Sequence, residues 1–208
     1  MQTFNRKSHW ENIYTTKELH EVSWFQPIPE TSLNFIRELC PNKLAKIIDV
    51  GGGDSLLVDH LLELGYQDLS VLDISEAAVT RAKHRLGEKA ERVTWIVADI
   101  ATFEPTAQYD LWHDRAAFHF LTSETDIQHY QEITRNHIAP TGHLVLGTFS
   151  DQGPKKCSGI DITQYTETTM SALFTESFEK INCIQVDHPT PFHTLQHFIF
   201  CAFRRKDK

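Results

Sequence analysis

The chain has 208 residues, 40% of them hydrophobic, and its 28 acidic against 20 basic side chains give a formal net charge of −8 at pH 7. That balance argues against a nucleic-acid surface, which needs a basic stripe to pair with phosphates, and only residues 204–206 at the tail are densely basic. No run of about 18 apolar residues exists and no apolar stretch follows the charges of residues 1–7, so neither a membrane span nor a signal peptide is expected, and the protein should be cytoplasmic.

No repeat, low-complexity tract or linker divides the chain, so one domain over 1–208 is expected, with residues 1–30 as an N-terminal cap. Cys40, Cys157, Cys183 and Cys201 are scattered and lack a Cys-x-x-Cys pair, which argues against a zinc site or a disulfide framework. Cys183 and Cys201 read as buried free thiols within apolar strand-like runs.

In chain order, the cap is unusually aromatic: Trp10-Glu11-Asn12-Ile13-Tyr14 is followed by Glu21-Val22-Ser23-Trp24-Phe25-Gln26-Pro27. Residues 32–39 have the apolar spacing of a helix closed by Pro41. Lys46-Ile47-Ile48-Asp49-Val50 is a short apolar strand running into Gly51-Gly52-Gly53, and residues 56–64 form a helix stopped by Gly65. A second strand, residues 67–74, ends at Asp73; Ser75 caps a helix to about residue 86, where Gly87 ends it. A third strand over 92–97 leads into Ala98-Asp99-Ile100. Residues 109–113 make a fourth strand, 126–138 a helix, 139–142 a turn and 143–149 a fifth strand. The glycine- and proline-rich loop 153–159 reads as a mobile substrate loop, and 180–186 with 197–204 form an antiparallel hairpin around the loop 187–196. Strand-helix alternation of this kind gives an α/β fold, a mostly parallel sheet with helices on both faces.

Chemistry collects at the strand ends. Glycines at 51 and 53 let a ligand approach the backbone closely, as a nucleotide-like group requires. Asp49 puts a negative charge beside that bend, which repels a pyrophosphate and attracts an ammonium or sulfonium. Asp73, about 20 residues beyond the glycines, is placed to accept both hydroxyls of a ribose. Asp99 would face an adenine amino group, with an apolar side chain such as Ile100 against the ring.

These segments, Asp49-Val50-Gly51-Gly52-Gly53, Leu72-Asp73-Ile74 and Ala98-Asp99-Ile100, resemble the first three motifs of the class I S-adenosylmethionine-dependent methyltransferases, in order and spacing. One departure is Ser55, where the family usually has a third glycine. The resemblance implies a Rossmann-like seven-stranded sheet of order 3-2-1-4-5-7-6 with the last strand antiparallel. It also implies S-adenosyl-L-methionine as cofactor, held by Asp49, Gly51, Gly52, Gly53, Asp73, Ile74, Asp99, Ile100, Asp114 and Trp24. The aromatic N-terminal segment resembles the lid of small bacterial members. Trp112-His113-Asp114-Arg115-Ala116-Ala117 is similar to the Trp-Asp-Arg-Gly-Ala segment of thiopurine S-methyltransferases, with one additional residue.

On that reading Arg115 orients an anionic acceptor, and His113 and His119 are the candidate general bases. Hydrogen bonding in core or surface is the competing account of the histidines, and a salt bridge to Asp114 that of Arg115. Neither an Asp/Asn-Pro-Pro-Tyr motif nor a Pro-Cys dipeptide occurs, which lowers the weight of nucleic-acid base methylation. No metal is expected. The expected reaction moves a methyl group to a small-molecule nucleophile, thiol-like or other, with protein-lysine N-methylation the alternative and a non-catalytic cofactor-binding partner protein a third. A monomer or weak homodimer is expected.

Overall fold

The apolar runs at 46–50, 68–73 and 109–115 become central strands that are largely buried. In the computed structural model, which describes residues 4–207, the strands are β1 (Lys46–Val50), β2 (Asp68–Asp73), β3 (Val93–Val97), β4 (Tyr109–Arg115), β5 (Ile138–Phe149), β6 (Lys156–Cys157), β7 (Ile160–Asp161), β8 (Phe178–Pro189) and β9 (Leu195–Arg205). Seven of them form one sheet in the order β3-β2-β1-β4-β5-β9-β8, parallel from β3 to β5 and antiparallel at β5–β9 and β9–β8. With β6 and β7 paired in a ribbon of their own, this is the order 3-2-1-4-5-7-6 that the resemblance implies.

The helices are α1 (Arg6–Thr16), α2 (Glu30–Leu39), α3 (Leu57–Glu63), α4 (Glu76–Leu86), α5 (Glu124–His137) and α6 (Glu167–Phe174). Strand alternation divides the core in two. Ile47 packs with Leu33 and Ile36 of α2 and Leu57 and Leu61 of α3, whereas Ile48 packs with Tyr130 and Ile133 of α5 and Met170 and Phe174 of α6. Among the described residues no helix is long and apolar enough to cross a membrane.

Four local outcomes differ from the sequence reading. The turn expected at 139–142 lies within β5, where an irregularity opposite Tyr109 and Leu111 absorbs Thr141 at φ 59. Helix α6 was not anticipated; Thr166 and Thr169 cap each other's backbone at its start. The loop 153–159 carries the β6 strand of the small ribbon, and its Cys157 is buried. Finally, Cys183 and Cys201 are not free thiols: they stand directly opposite in the β8–β9 pair and form a disulfide. Register brings them together, and register is set by the hairpin rather than by any cysteine spacing.

Candidate functional site

The strand ends meet at the bend after β1. Gly51 has φ 69, and a Cβ there would lie 2.7 Å from Cβ of Ala117. A Cβ on Gly53, at φ 35, would lie 2.5 Å from Oδ2 of Asp73. Both positions therefore need glycine for conformation and for space. The N–H groups of Gly51 and Gly52 donate to the carbonyl of Leu72 at 2.8 and 3.2 Å, which ties the bend to the end of β2.

Beyond the bend opens a cavity of about 800 Å³, counted to its open mouth. One end is formed by Asp73, Ile74, Asp99 and Ile100 at the tips of β2 and β3. Asp73 is buried and accepts from the Ser75 N–H at 2.8 Å; burial pushes its carboxyl up to about 7, against the pull of backbone donors and with Asp49 adding to the rise. Asp99 accepts from the Ala101 N–H at 3.0 Å and faces the Arg6 guanidinium at 3.5 Å. Phe149 closes the other end from β5, three strands from β2 in the sheet order, a span of about 14 Å at ordinary strand spacing.

Helix α1 roofs the cavity. Arg6, Trp10 and Tyr14, spaced four apart, all line it, because residues at i, i+4 and i+8 share one helix face. Glu11, on another face, accepts from Ser75 Oγ at 2.8 Å and from the Ala77 N–H at 3.0 Å, docking α1 onto the start of α4. Trp24 follows in the chain; its ring meets Trp10 edge-on at 5.7 Å, and Trp10 meets Phe120 at 5.0 Å.

Arg115, the last residue of β4, points into this aromatic end. Its Nη1 and Nη2 both donate to the Trp24 carbonyl at 3.1 Å, and its guanidinium lies 5.3 Å from the Phe198 ring. Burial lowers its pKa to about 10, so it stays a cation at neutral pH. Among the described residues no carboxylate stands within ion-pairing distance of it. Cys157 also lines this end, its thiol pushed up to about 11 by burial.

Three expected site residues face elsewhere. His113 is buried with both ring nitrogens engaged, Nδ1 with Asp49 Oδ1 at 2.7 Å and Nε2 with Ser32 Oγ at 2.8 Å. His119 lies behind the cavity wall; burial, with Arg115 adding to it, depresses its pKa to about 3, and its Nδ1 accepts from the Phe149 N–H at 3.4 Å. Asp114 is 0% exposed and accepts from the N–H groups of Ala117 and Phe118, each at 3.0 Å, and from Tyr130 Oη at 2.9 Å. Its carboxylate holds the turn after β4 and does not reach the cavity, a correction to its expected place beside the cofactor. A salt bridge between Arg115 and Asp114 does not form, since the two point to opposite faces of β4.

A family model described as a methyltransferase domain matches residues 48–144, the stretch that holds the bend and both strand-end carboxylates. That match covers just under half of the chain. It is 23% identical over 133 residues to eEF1A lysine and N-terminal methyltransferase of Bos taurus, covering 64% of this chain and 19% of that protein. To Nodulation protein S of Rhizobium fredii it is 27% identical over 105 residues, 50% of this chain and 58% of the relative. The solved structure of N-methyltransferase NodS from Bradyrhizobium japonicum WM9, in complex with S-adenosyl-L-homocysteine, superposes with a TM-score of 0.72 at 17% identity, over 98% of this chain and 100% of that one. The match thus spans about a fifth of the length of the bovine relative.

Of the expected site residues, Gly51, Asp73, Ile74, Asp99, Ile100, Trp24 and Arg115 come together around one cavity. Asp49 and Gly52 border a smaller adjoining pocket with Ser32 and His113, and it shares Gly51, Trp24 and Arg115 with the main one. Sequence reasoning did not single out Arg6, Phe120, Phe149 or Phe198. The fourfold spacing of residues 6, 10 and 14 was an available signal; Phe149 and Phe198 gave none, because only the β5–β9 register makes them neighbours.

Proposed function

We propose that this chain transfers the methyl group of S-adenosylmethionine to a small-molecule nucleophile. One observation carries the reading: a single cavity has two carboxylates at its β2–β3 end, a glycine bend that a Cβ would obstruct at its centre, and an aromatic chamber at its far end. These residues fit the cofactor. Asp73 would receive the ribose hydroxyls and Asp99 the adenine amino group, Ile74 and Ile100 would flank the ring, and the backbone at Gly51 would let the sulfonium-bearing chain pass. Asp49, bordering the adjoining pocket, would face the ammonium of the methionine end. When bound, the cofactor supplies a carbon already activated by its sulfonium, so the chain's task is alignment of the acceptor rather than covalent catalysis. Arg6, Trp10, Tyr14 and Trp24 cover the mouth and exclude water.

That cover favours a small acceptor over a polypeptide. Protein-lysine methylation stays the second reading because the bovine relative is named for lysine and N-terminal methyl transfer. Calorimetric titration with S-adenosylmethionine tests the first step, and saturable binding is expected. Incubation with a radiolabelled methyl donor and cell extract separates the two acceptors: label in the low-mass fraction supports the proposal, and label in polypeptide bands supports the second reading.

A further inference from the structure

Among the described residues Asp49 is the only carboxylate bordering the pocket that adjoins the main cavity, and one of its oxygens is already engaged. Parallel pairing of β1 and β4 sets Asp49 directly beside His113, so the two side chains leave the same face of the sheet. His113 Nδ1 lies 2.7 Å from Asp49 Oδ1. A carboxylate only accepts, so Nδ1 carries the hydrogen of that bond. Across the ring, Nε2 lies 2.8 Å from Oγ of Ser32 in the first turn of α2, whose hydroxyl can donate to it. Asp49, His113 and Ser32 are all buried. The imidazole is thus fixed at both ends, by β1 and by α2.

Asp49 Oδ2 is the oxygen left over. A Cβ on Gly52 would lie 2.5 Å from it, so it rests against the bare backbone of the glycine bend. Among the described residues no protein donor reaches it, and it is not sealed off from the pocket. Arg115 borders the same pocket and repels an ammonium, so the direction in which Asp49 points its free oxygen decides where the amino-acid end of a ligand can lie. Rotation of the carboxyl would spoil that direction, and the bond from Nδ1 prevents it. Resting on the reading of Asp49 above, we infer that His113 is a positioning residue for the amino-acid end of the cofactor: it pins one oxygen of Asp49 and so presents the other to the ammonium, while Ser32 holds the ring. This task differs from proton removal. His113 borders the adjoining pocket and not the chamber where an acceptor would lie.

Calorimetry with S-adenosylhomocysteine and with 5′-methylthioadenosine, which keeps the nucleoside and the thioether but lacks the amino-acid end, tests the assignment. The wild type should bind S-adenosylhomocysteine at least about tenfold more tightly, the usual effect of hydrogen bonds to a charged group. His113→Leu should weaken S-adenosylhomocysteine about tenfold and 5′-methylthioadenosine by less than about twofold. His113→Asn, whose amide can still donate to Asp49, should recover most of that loss, and Ser32→Ala should cost about threefold on S-adenosylhomocysteine alone. Equal weakening of both ligands in His113→Leu, or of neither, would overturn the inference, as would an Asn variant no better than the Leu one. A wild-type imidazole nitrogen spectrum without a proton on Nδ1 would overturn it too, and that measurement needs no variant to fold. Equal affinity of the wild type for the two ligands would instead remove Asp49 from the amino-acid end, and failure to bind S-adenosylhomocysteine would break the methyltransferase reading on which both rest.

Discussion

The two ends of the cavity are assembled in different ways. At the nucleoside end, Gly51, Asp73 and Asp99 sit at or just beyond the tips of three successive strands, and β1, β2 and β3 are also neighbours in the sheet. At the acceptor end, Trp10, Trp24, Arg115, Phe149, Cys157 and Phe198 come from six separated stretches of chain. They meet because β9 runs back antiparallel beside β5 and because α1 and Trp24 line the same cavity. The first end is a local consequence of strands terminating in order; the second depends on the tertiary fold. Fixed chemistry at one end and variable chemistry at the other is what a shared cofactor with differing acceptors requires.

The largest expected effect breaks the nucleoside end alone. Asp73→Ala would remove two charge-assisted hydrogen bonds to the ribose, roughly 1.5–3 kcal/mol each, so affinity for S-adenosylmethionine should fall on the order of 10²–10⁴-fold. Since burial holds the Asp73 carboxyl at about 7, wild-type affinity should also weaken as pH falls below about 7 and the carboxylate is lost. Folding stability should move the other way: a raised native pKa favours the protonated fold, so this group's contribution is fully present below about pH 4 and disappears as pH rises through about 7. Calorimetry and thermal unfolding between pH 5 and 8 check both slopes, and Asp73→Asn should flatten them. Wild-type affinity in Asp73→Ala would remove the carboxylate from the cofactor site.

The same contrast explains what could be read from the sequence. Strands β1 to β4 were legible because their apolar runs are bounded by turn and capping residues, as at Ser75, whose hydroxyl accepts from the Ala78 N–H. Helix α6 and the β6–β7 ribbon are short elements held by their neighbours, and periodicity over so few residues carries little signal. Among site residues, the error at His113 and Asp114 has a definite source. Ending the fourth strand at 113 hid the alternation that continues to Arg115. Alternation puts Trp112 and Asp114 on the α5 side with Tyr130, and His113 and Arg115 on the α2 side with Ser32 and Trp24.

A second prediction sharpens that division within β4. The Tyr130 hydroxyl donates to Asp114 Oδ2 at 2.9 Å and accepts from Trp112 Nε1 at 3.1 Å. Tyr130→Phe leaves a buried carboxylate oxygen and a buried indole N–H unpartnered, which should lower stability by about 1–3 kcal/mol. Burial already holds Asp114 up to about 6, and losing a donor to its charged form should raise it further. Denaturant unfolding should register the loss while affinity for S-adenosylmethionine stays at the wild-type value. A parallel loss of affinity would return Asp114 to the cofactor site.

The smallest expected effect concerns the roof. Ser75 caps α4 through its own hydroxyl, which accepts from Ala78 N–H at 3.2 Å, so the α4 cap survives when Glu11 is removed. What Glu11→Ala takes away is the docking of α1 on that helix start, a pair of partly buried hydrogen bonds expected to contribute about 1 kcal/mol. Arg81 still holds the Tyr14 and Lys17 carbonyls at 3.0 and 2.6 Å, so α1 should stay folded against the domain and open more often. About fivefold faster cofactor release with an unchanged association rate is expected, because opening limits escape while the empty site is already accessible. Trp10 and Trp24 line the cavity and report the release by stopped-flow fluorescence. An unchanged release rate would mean that α1 packs beside the bound cofactor without confining it, and the two ends of the cavity would then share no common cover.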